Sequence, residues 1–213
     1  METINQNRTN CPAAITVADA TLMTTSSENH METTGQTESK LWTAKKHLRI
    51  GYWNVRTLLQ TGKISQLLRE MVNYKLDILG VSEFRWTGAD KIFIKEGKMH
   101  IIYSCRNDDL HSEGMAIVMS KAAEKSLIQW EPISERLITA RFQTSFIKVT
   151  IIQCYAPKND HNDDDKDKFY NQLQSLINKT PSHDLHLVMG DFNAKIGSDN
   201  ISVERTIGTH WAA

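Results

Sequence analysis

The sequence predicts an α/β domain, helices laid over β-sheet, beginning near Leu48. Three observations lead there. Short apolar runs alternate with amphipathic stretches from Leu48 to Met189. The run Asp77-Ile78-Leu79-Gly80-Val81-Ser82 is apolar on both of its faces, as a central strand covered on two sides is. In Lys63–Asn73, Ile64, Leu67, Leu68, Met71 and Val72 recur at helical spacing, and Phe169, Leu173, Leu176 and Ile177 do the same further on.

Residues 1–46 are rich in Thr, Ser, Asn and Glu and hold no sustained apolar period. Such a segment buries too little surface to offset its ordering entropy, so a disordered tail is expected, barely touching the domain over 47–213. Leu48–Trp53 then reads as a short strand, followed by the helix over Lys63–Asn73 and the DILGVS strand. Met99–Ser104 and Met115–Ser120 are further strands, the second introduced by Gly114. Ser126–Trp130, Leu137–Phe142 and Ile147–Tyr155 continue the β character, and the last two alternate cleanly. A charged linker, Asn159–Lys166, leads into the second helix, and Leu185–Met189 is a buried strand running into Gly190-Asp191-Phe192-Asn193. The sequence carries no internal repeat.

Composition narrows the function classes. Of the 213 residues 40% are hydrophobic and 23% charged, as in an ordinary globular protein. The 25 Lys and Arg balance the 25 Asp and Glu, so there is no overall basic footprint for nucleic acid, although a local groove is compatible with a neutral total. Cys11, Cys105 and Cys154 form no CxxC pair and are expected as reduced thiols, with neither a zinc site nor a disulfide. No stretch resembles a membrane span or a secretory leader, so a nuclear or cytoplasmic location is expected.

Polar residues recur where the buried strands end. Asn54 follows the first, Glu83 follows DILGVS, Tyr155 ends IKVTIIQCY, and Asp191 with Asn193 follows LHLVMG. Strand ends are where α/β proteins gather ligand-binding groups, because the sheet fixes their positions. Carboxylates, carboxamides and a phenol brought together this way make an oxygen-rich site suited to Mg²⁺. Each residue alone has a plainer reading. Asp191-Phe192-Asn193 is a good turn, Asn54 a good cap, Glu83 with Arg85 a surface ion pair, and Tyr155-Ala156-Pro157 a strand stopped by proline. The order in which they occur together outweighs those readings.

Gly51-Tyr52-Trp53-Asn54-Val55-Arg56, Ser82-Glu83-Phe84-Arg85-Trp86, Gly114-Met115-Ala116-Ile117, Cys154-Tyr155-Ala156-Pro157 and Met189-Gly190-Asp191-Phe192-Asn193 resemble the successive motifs of the endonuclease/exonuclease/phosphatase superfamily. The wording WNVRTL, DILGVSEFRWTG, WEPISERLITARFQ, YAPKND and VMGDFNAKIGSDN is most similar to the endonuclease domains of non-LTR (LINE-type) retrotransposons and to their host-encoded relatives. The resemblance covers about Leu48 to Arg205.

That resemblance implies a two-sheet β-sandwich flanked by helices, of the deoxyribonuclease-like kind. It also implies Mg²⁺-dependent (or Mn²⁺-dependent) hydrolysis of phosphodiester bonds in DNA. Glu83 would be the principal metal ligand, with Asn54 in its outer sphere or as a second contact. Tyr155 would hydrogen-bond the scissile phosphate, Asp191 would activate water, and Asn193 would hold Asp191 and a non-bridging oxygen. The family continues past this region with further strands, a late Asp and a terminal Ser-Asp-His motif. Here Ser182-His183-Asp184 has the reverse order and precedes Asp191, and the chain ends soon after Gly208-Thr209-His210-Trp211. The expectation is therefore a domain incomplete at its C-terminus and impaired as a nuclease. The alternatives are a non-catalytic remnant, or a same-fold phosphoesterase acting on lipid or inositol phosphates.

Overall fold

Two βαβ crossovers, one in each of two sheets, organise the molecule. The computed structural model describes residues 16–20, 48–60, 62–108 and 113–193. In chain order the elements are β1 (Thr16–Ala20), β2 (Leu48–Asn54), α1 (Lys63–Asn73), β3 (Ile78–Ser82), β4 (Ala89–Ile94), β5 (Met99–Ser104) and β6 (Met115–Met119). These are followed by α2 (Lys121–Ser126), β7 (Leu127–Ser134), β8 (Leu137–Gln143), β9 (Lys148–Tyr155), α3 (Asp163–Lys179) and β10 (Leu185–Asp191). One sheet has the order β1-β2-β3-β6-β5-β4 and the other β10-β9-β8-β7. This is the two-sheet sandwich with flanking helices that the motifs imply.

Alternation decides which way each strand looks. Leu79 and Val81 of β3 share a cluster with Leu67, Leu68 and Met71 of α1, on the outer face of the larger sheet. Ile78 turns the other way and joins Ile102, Ile117, Ile138, Phe142 and Ile151 between the sheets. Leu137, Ile152 and Cys154 face outward from the smaller sheet, onto Phe169 and Leu173 of α3. The layers therefore run helix, sheet, sheet, helix. Burying each such apolar side chain contributes about 1.5–3 kcal/mol, so the inter-sheet layer is a principal source of stability.

Both crossovers join parallel strands, β2 to β3 through α1 and β9 to β10 through α3. Parallel pairing sets the C-terminal ends of the two strands side by side. Asn54 registers with Ser82 in one sheet and Asp191 with Tyr155 in the other. Each crossover thus delivers two polar strand ends to one edge of its sheet.

Several elements differ from the sequence expectation. Within the supposedly contact-free residues 1–46, Thr16–Ala20 pairs antiparallel with β2, Thr16 opposite Tyr52 and Ala20 opposite Leu48. A strand that adds to a sheet edge needs only main-chain partners, so apolar periodicity does not reveal it. The other residues of that segment lie outside the described ones. The strand β4 and the short helix α2 were not expected either. β4 is an edge strand with largely exposed residues, and α2 has six residues, too few for a periodic signal. Half of the supposed charged linker is helix. α3 starts at Asp163, capped by the Asn162 side chain, which accepts the Asp165 N–H at 2.7 Å. Asp163, Asp164 and Asp165 then sit in the first turn, where the helix dipole favours negative charge. Val72, assigned to the apolar face of α1, is 62% exposed. The expected incompleteness falls on residues after Asn193, outside the described ones. Among the described residues no helix is long and apolar enough to cross a membrane.

Asp184, the last residue of the reversed Ser-His-Asp string, immediately precedes β10, at the end opposite Asp191. There it pins α3's return to the smaller sheet. Arg141 grips it with both fork nitrogens, at 2.6 and 2.9 Å, and the Thr150 hydroxyl donates at 2.7 Å. The Arg141 hydrogen bonds hold its carboxyl below the usual range; burial opposes them, and Thr150 and the Arg141 charge add to them. Replacing Asp184 with Ala leaves the Thr150 hydroxyl and Arg141 without this acceptor, an expected loss of about 2 kcal/mol in urea unfolding at neutral pH. A lowered folded-state pKa stabilises above the unfolded value near about 4 and loses that contribution as pH falls. The difference between wild type and Asp184→Ala should therefore shrink below that pH. A gap that is constant from pH 7 to pH 3 would contradict the assignment.

Candidate active site

The two polar edges meet. Asn54 Nδ2 donates to Glu83 Oε1 at 3.0 Å and lies 3.3 Å from Asp191 Oδ2, so one amide bridges a carboxylate from each sheet. Tyr155 O–H donates to the same Glu83 Oε1 at 3.2 Å. Asn193 N–H donates to Asp191 Oδ1 at 2.9 Å, while its side-chain amide donates to the Ala156 carbonyl at 2.7 Å. All five residues singled out from the sequence therefore come together at the C-terminal ends of β2, β3, β9 and β10.

Glu83 reaches the cleft through an unusual backbone. Its φ is 56° and that of Arg85 is 63°, both in the left-handed region that non-glycine residues rarely occupy. Residue 84 explains how the segment holds this shape. The Phe84 side chain is fully buried and stacks with Tyr103 at 5.6 Å between ring centroids, with Trp86 tilted against it at 4.5 Å. Phe84 N–H donates to the Gly114 carbonyl at 3.0 Å, and Arg85 N–H to the Glu113 carbonyl at 3.1 Å. With Phe84 locked in the core, residues 83 and 85 are forced to the cleft side. Strain of this kind, of order 1–3 kcal/mol per residue, is characteristic of functional positions.

The electrostatics follow from this packing. Burial would raise the Glu83 carboxyl, but hydrogen bonds from Asn54, Arg85 and Tyr155 and the Arg85 charge outweigh it and keep it below the ordinary range. Arg85 Nη2 sits 2.8 Å from Glu83 Oε2. The ion pair that served as the plainer reading of Glu83 is real, yet it lies inside the cleft. Tyr155 is pushed up to about 12, first by burial and then by the charge and hydrogen bond of Glu83, with Asp191 adding to it. Its hydroxyl therefore stays a hydrogen-bond donor across the whole neutral range. Cys154 is likewise pushed up to about 12 by burial and by Asp191, and Cys105 to about 11 chiefly by burial, so both buried thiols are held protonated. Cys11 lies outside the described residues.

Two carboxylates, two carboxamides and a phenol form a wholly hard donor set. Such a set fits a divalent cation that keeps several waters and phosphate oxygens, and not one that seeks thiolate or imidazole. Among the described residues no group of three or more His, Cys, Asp or Glu forms a protein-only metal cage. Asn54 Oδ1 accepts the Arg56 N–H at 3.1 Å, which directs the amide nitrogen onto the carboxylates. Sequence reasoning missed Arg136 and Glu113, which flank the site. The Arg136 guanidinium lies 5.5 Å from the centroid of the Tyr155 ring and pairs with Glu113. Neither residue ends an apolar run, so nothing local marks it.

Comparison with known proteins agrees with this fold. Craniofacial development protein 2 of Bos taurus is 37% identical over 164 residues, which is 77% of this chain and 27% of that protein. The chain spans about a quarter of the length of the curated relatives it matches. D. rerio TDP2 complexed with single strand DNA product superposes with a TM-score of 0.52 at 14% identity, over 70% of this chain and 62% of that one. An AP endonuclease from Archaeoglobus fulgidus gives 0.51 at 20% identity, over 68% and 57%. At those identities the likeness shows the fold. Residues 51–211 match the Endonuclease/Exonuclease/phosphatase family, so the chain belongs to that family.

Proposed function

We propose that this cleft hydrolyses phosphodiester bonds in DNA with the help of Mg²⁺ or Mn²⁺. The observation that carries the reading is the single amide of Asn54 spanning Glu83 and Asp191, one carboxylate from each sheet. Two carboxylates that share one amide make a place where an added cation is stabilised by both. Glu83 would hold the cation, with Asn54 in its outer sphere. Once bound, the ion would supply neutralisation of charge on the phosphoryl oxygens. Asp191, fixed by the Asn193 N–H, would orient water and accept its proton. Tyr155, whose one hydroxyl proton goes to Glu83 in this structure, would turn it to a phosphate oxygen when substrate binds, and Asn193 ties the end of β10 to Ala156 beside it. A DNA substrate also accords with the two solved neighbours, one complexed with single strand DNA product and the other an AP endonuclease.

The test uses purified 1–213 protein on supercoiled plasmid, with Mg²⁺, with Mn²⁺, and with EDTA. Nicking that requires the metal and disappears in Asp191→Ala is the expected result. Release of phosphate from inositol phosphates or phosphoinositides with no nicking would move the substrate class. Absence of both activities, in protein that is folded by circular dichroism, would make the chain a non-catalytic copy of the domain.

A further inference from the structure

We propose that Glu113 and Arg136 form a positioning pair that fixes Tyr155 against Glu83 and joins the two halves of the cleft; the catalytic part of this inference rests on the phosphodiesterase reading above.

The two oxygens of Glu83 lead back to the same residue by separate routes. Oε2 is held by Arg85, whose main-chain N–H donates to the Glu113 carbonyl at 3.1 Å. Oε1 is held by the Tyr155 hydroxyl at 3.2 Å, and Tyr155 is gripped by Arg136. The Tyr155 N–H donates to the Arg136 carbonyl at 3.0 Å, and Arg136 Nη1 lies 3.4 Å from the Tyr155 carbonyl. Its guanidinium carbon lies 5.5 Å from the ring centroid, within the range of a cation–π contact. The other guanidinium nitrogen, Nη2, is hydrogen-bonded to Glu113 Oε1. The side chains of Arg136 and Glu113 are only 14% and 16% exposed. A ring thus closes through Glu83, Arg85, Glu113, Arg136 and Tyr155.

The ring crosses between the sheets. Glu113 precedes β6 of the larger sheet, whereas Arg136 sits in the turn between β7 and β8 of the smaller one. A planar, always-charged guanidinium suits this place, because it can stack on an aromatic face and fork to a carboxylate at once. Lysine offers the charge without the fork. The pair also lines a groove of about 420 Å³ with Arg106, His161 and Lys168. A competing role for Arg136 is therefore direct contact with the substrate strand, and the experiment separates the two.

Tyrosine labelled with ¹³C at Cζ reports on Tyr155 directly, with its resonance assigned from Tyr155→Phe. Spectra and plasmid-nicking kinetics are compared for wild type, Glu113→Gln, Arg136→Gln, Arg136→Lys and the Glu113→Gln/Arg136→Gln double variant. Both Gln variants are expected to move the Tyr155 resonance and to lower kcat about tenfold with KM little changed, the usual scale for a residue behind a ligand. The double variant should lose no more than the worse single one, and Arg136→Lys should recover part of the loss. An unmoved Tyr155 resonance in folded Glu113→Gln and Arg136→Gln overturns the proposal. So does a rise in KM at constant kcat, which would make Arg136 a substrate contact. Should Arg136→Gln fail to fold, Glu113→Gln and Arg136→Lys carry the test. Wild-type protein that cleaves no DNA would sink the phosphodiesterase reading, and the Tyr155 resonance would still decide the positioning pair.

Discussion

Glu83→Ala is expected to lower metal-dependent DNA cleavage about a thousand-fold, equivalent to about 4 kcal/mol of transition-state stabilisation, while leaving the fold intact. The loss follows from geometry. Glu83 is the one group that touches Asn54, Arg85 and Tyr155 together, so its removal takes away the acceptor that the three share. The fold should survive because the change lies at the strand end and leaves Phe84 locked in the core. Alanine keeps the Cβ and with it the left-handed strain at φ 56°, and it loses the hydrogen bonds that hold the carboxylate, so a modest loss of stability accompanies the loss of activity. Asp191→Ala should lose a similar factor. The double variant should be little worse than either, since groups acting as a unit fail together. The measurement is single-turnover nicking in Mg²⁺ alongside thermal melting. Activity within tenfold of wild type in Glu83→Ala would place the metal carboxylate elsewhere.

Gly190→Ala should destabilise by about 3–5 kcal/mol, from steric overlap together with left-handed strain. A Cβ at residue 190 would come within 1.8 Å of the Cys154 carbonyl oxygen and 2.7 Å of its carbon, both main-chain atoms of the paired strand. Backbone in a sheet interior cannot swing aside as a lysine tip can. The glycine also has φ 147°, outside what an alanine comfortably adopts. Separation of β10 from β9 is the expected consequence, and with it displacement of Asp191 from Asn54. At about 2–4 °C per kcal/mol for a domain of this size, the midpoint of thermal unfolding should fall by roughly 10 °C. Hydrogen exchange at residues 187–191 should rise before exchange in β3. A melting point within a degree or two of wild type would show that β10 accommodates the extra carbon and that the close approach is unimportant.

The inner strands were legible because their chemistry is repetitive. DILGVS must be buried on both faces, and IKVTIIQCY alternates, so the strand character of β3 and β9 follows from local composition. The amphipathic faces of α1 and α3 were legible for the same reason, at a different period. Polar residues that interrupt such runs stand out, and Asn54, Glu83, Tyr155, Asp191 and Asn193 were all found that way. β1 and β4 were not, since edge pairing is made by main-chain groups that every residue carries. Arg136 and Glu113 escaped because a charged residue in a loop looks the same whether it is solvated or bonded across the cleft.

The sequence by itself determined the α/β character, the family and the residue types of the site, because periodicity and motif wording are properties of neighbours along the chain. Tertiary structure alone decided that Asn54 spans two carboxylates from different sheets. It alone turned Glu83 and Arg85 into the cleft by burying Phe84, and it closed the ring through Glu113 and Arg136. The contacts of Asn54 with Glu83 and Asp191 join residues 29 and 137 positions apart. The physical reason is that a hydrogen bond depends on position in space, and only the packing of one sheet on the other brings such distant residues within reach.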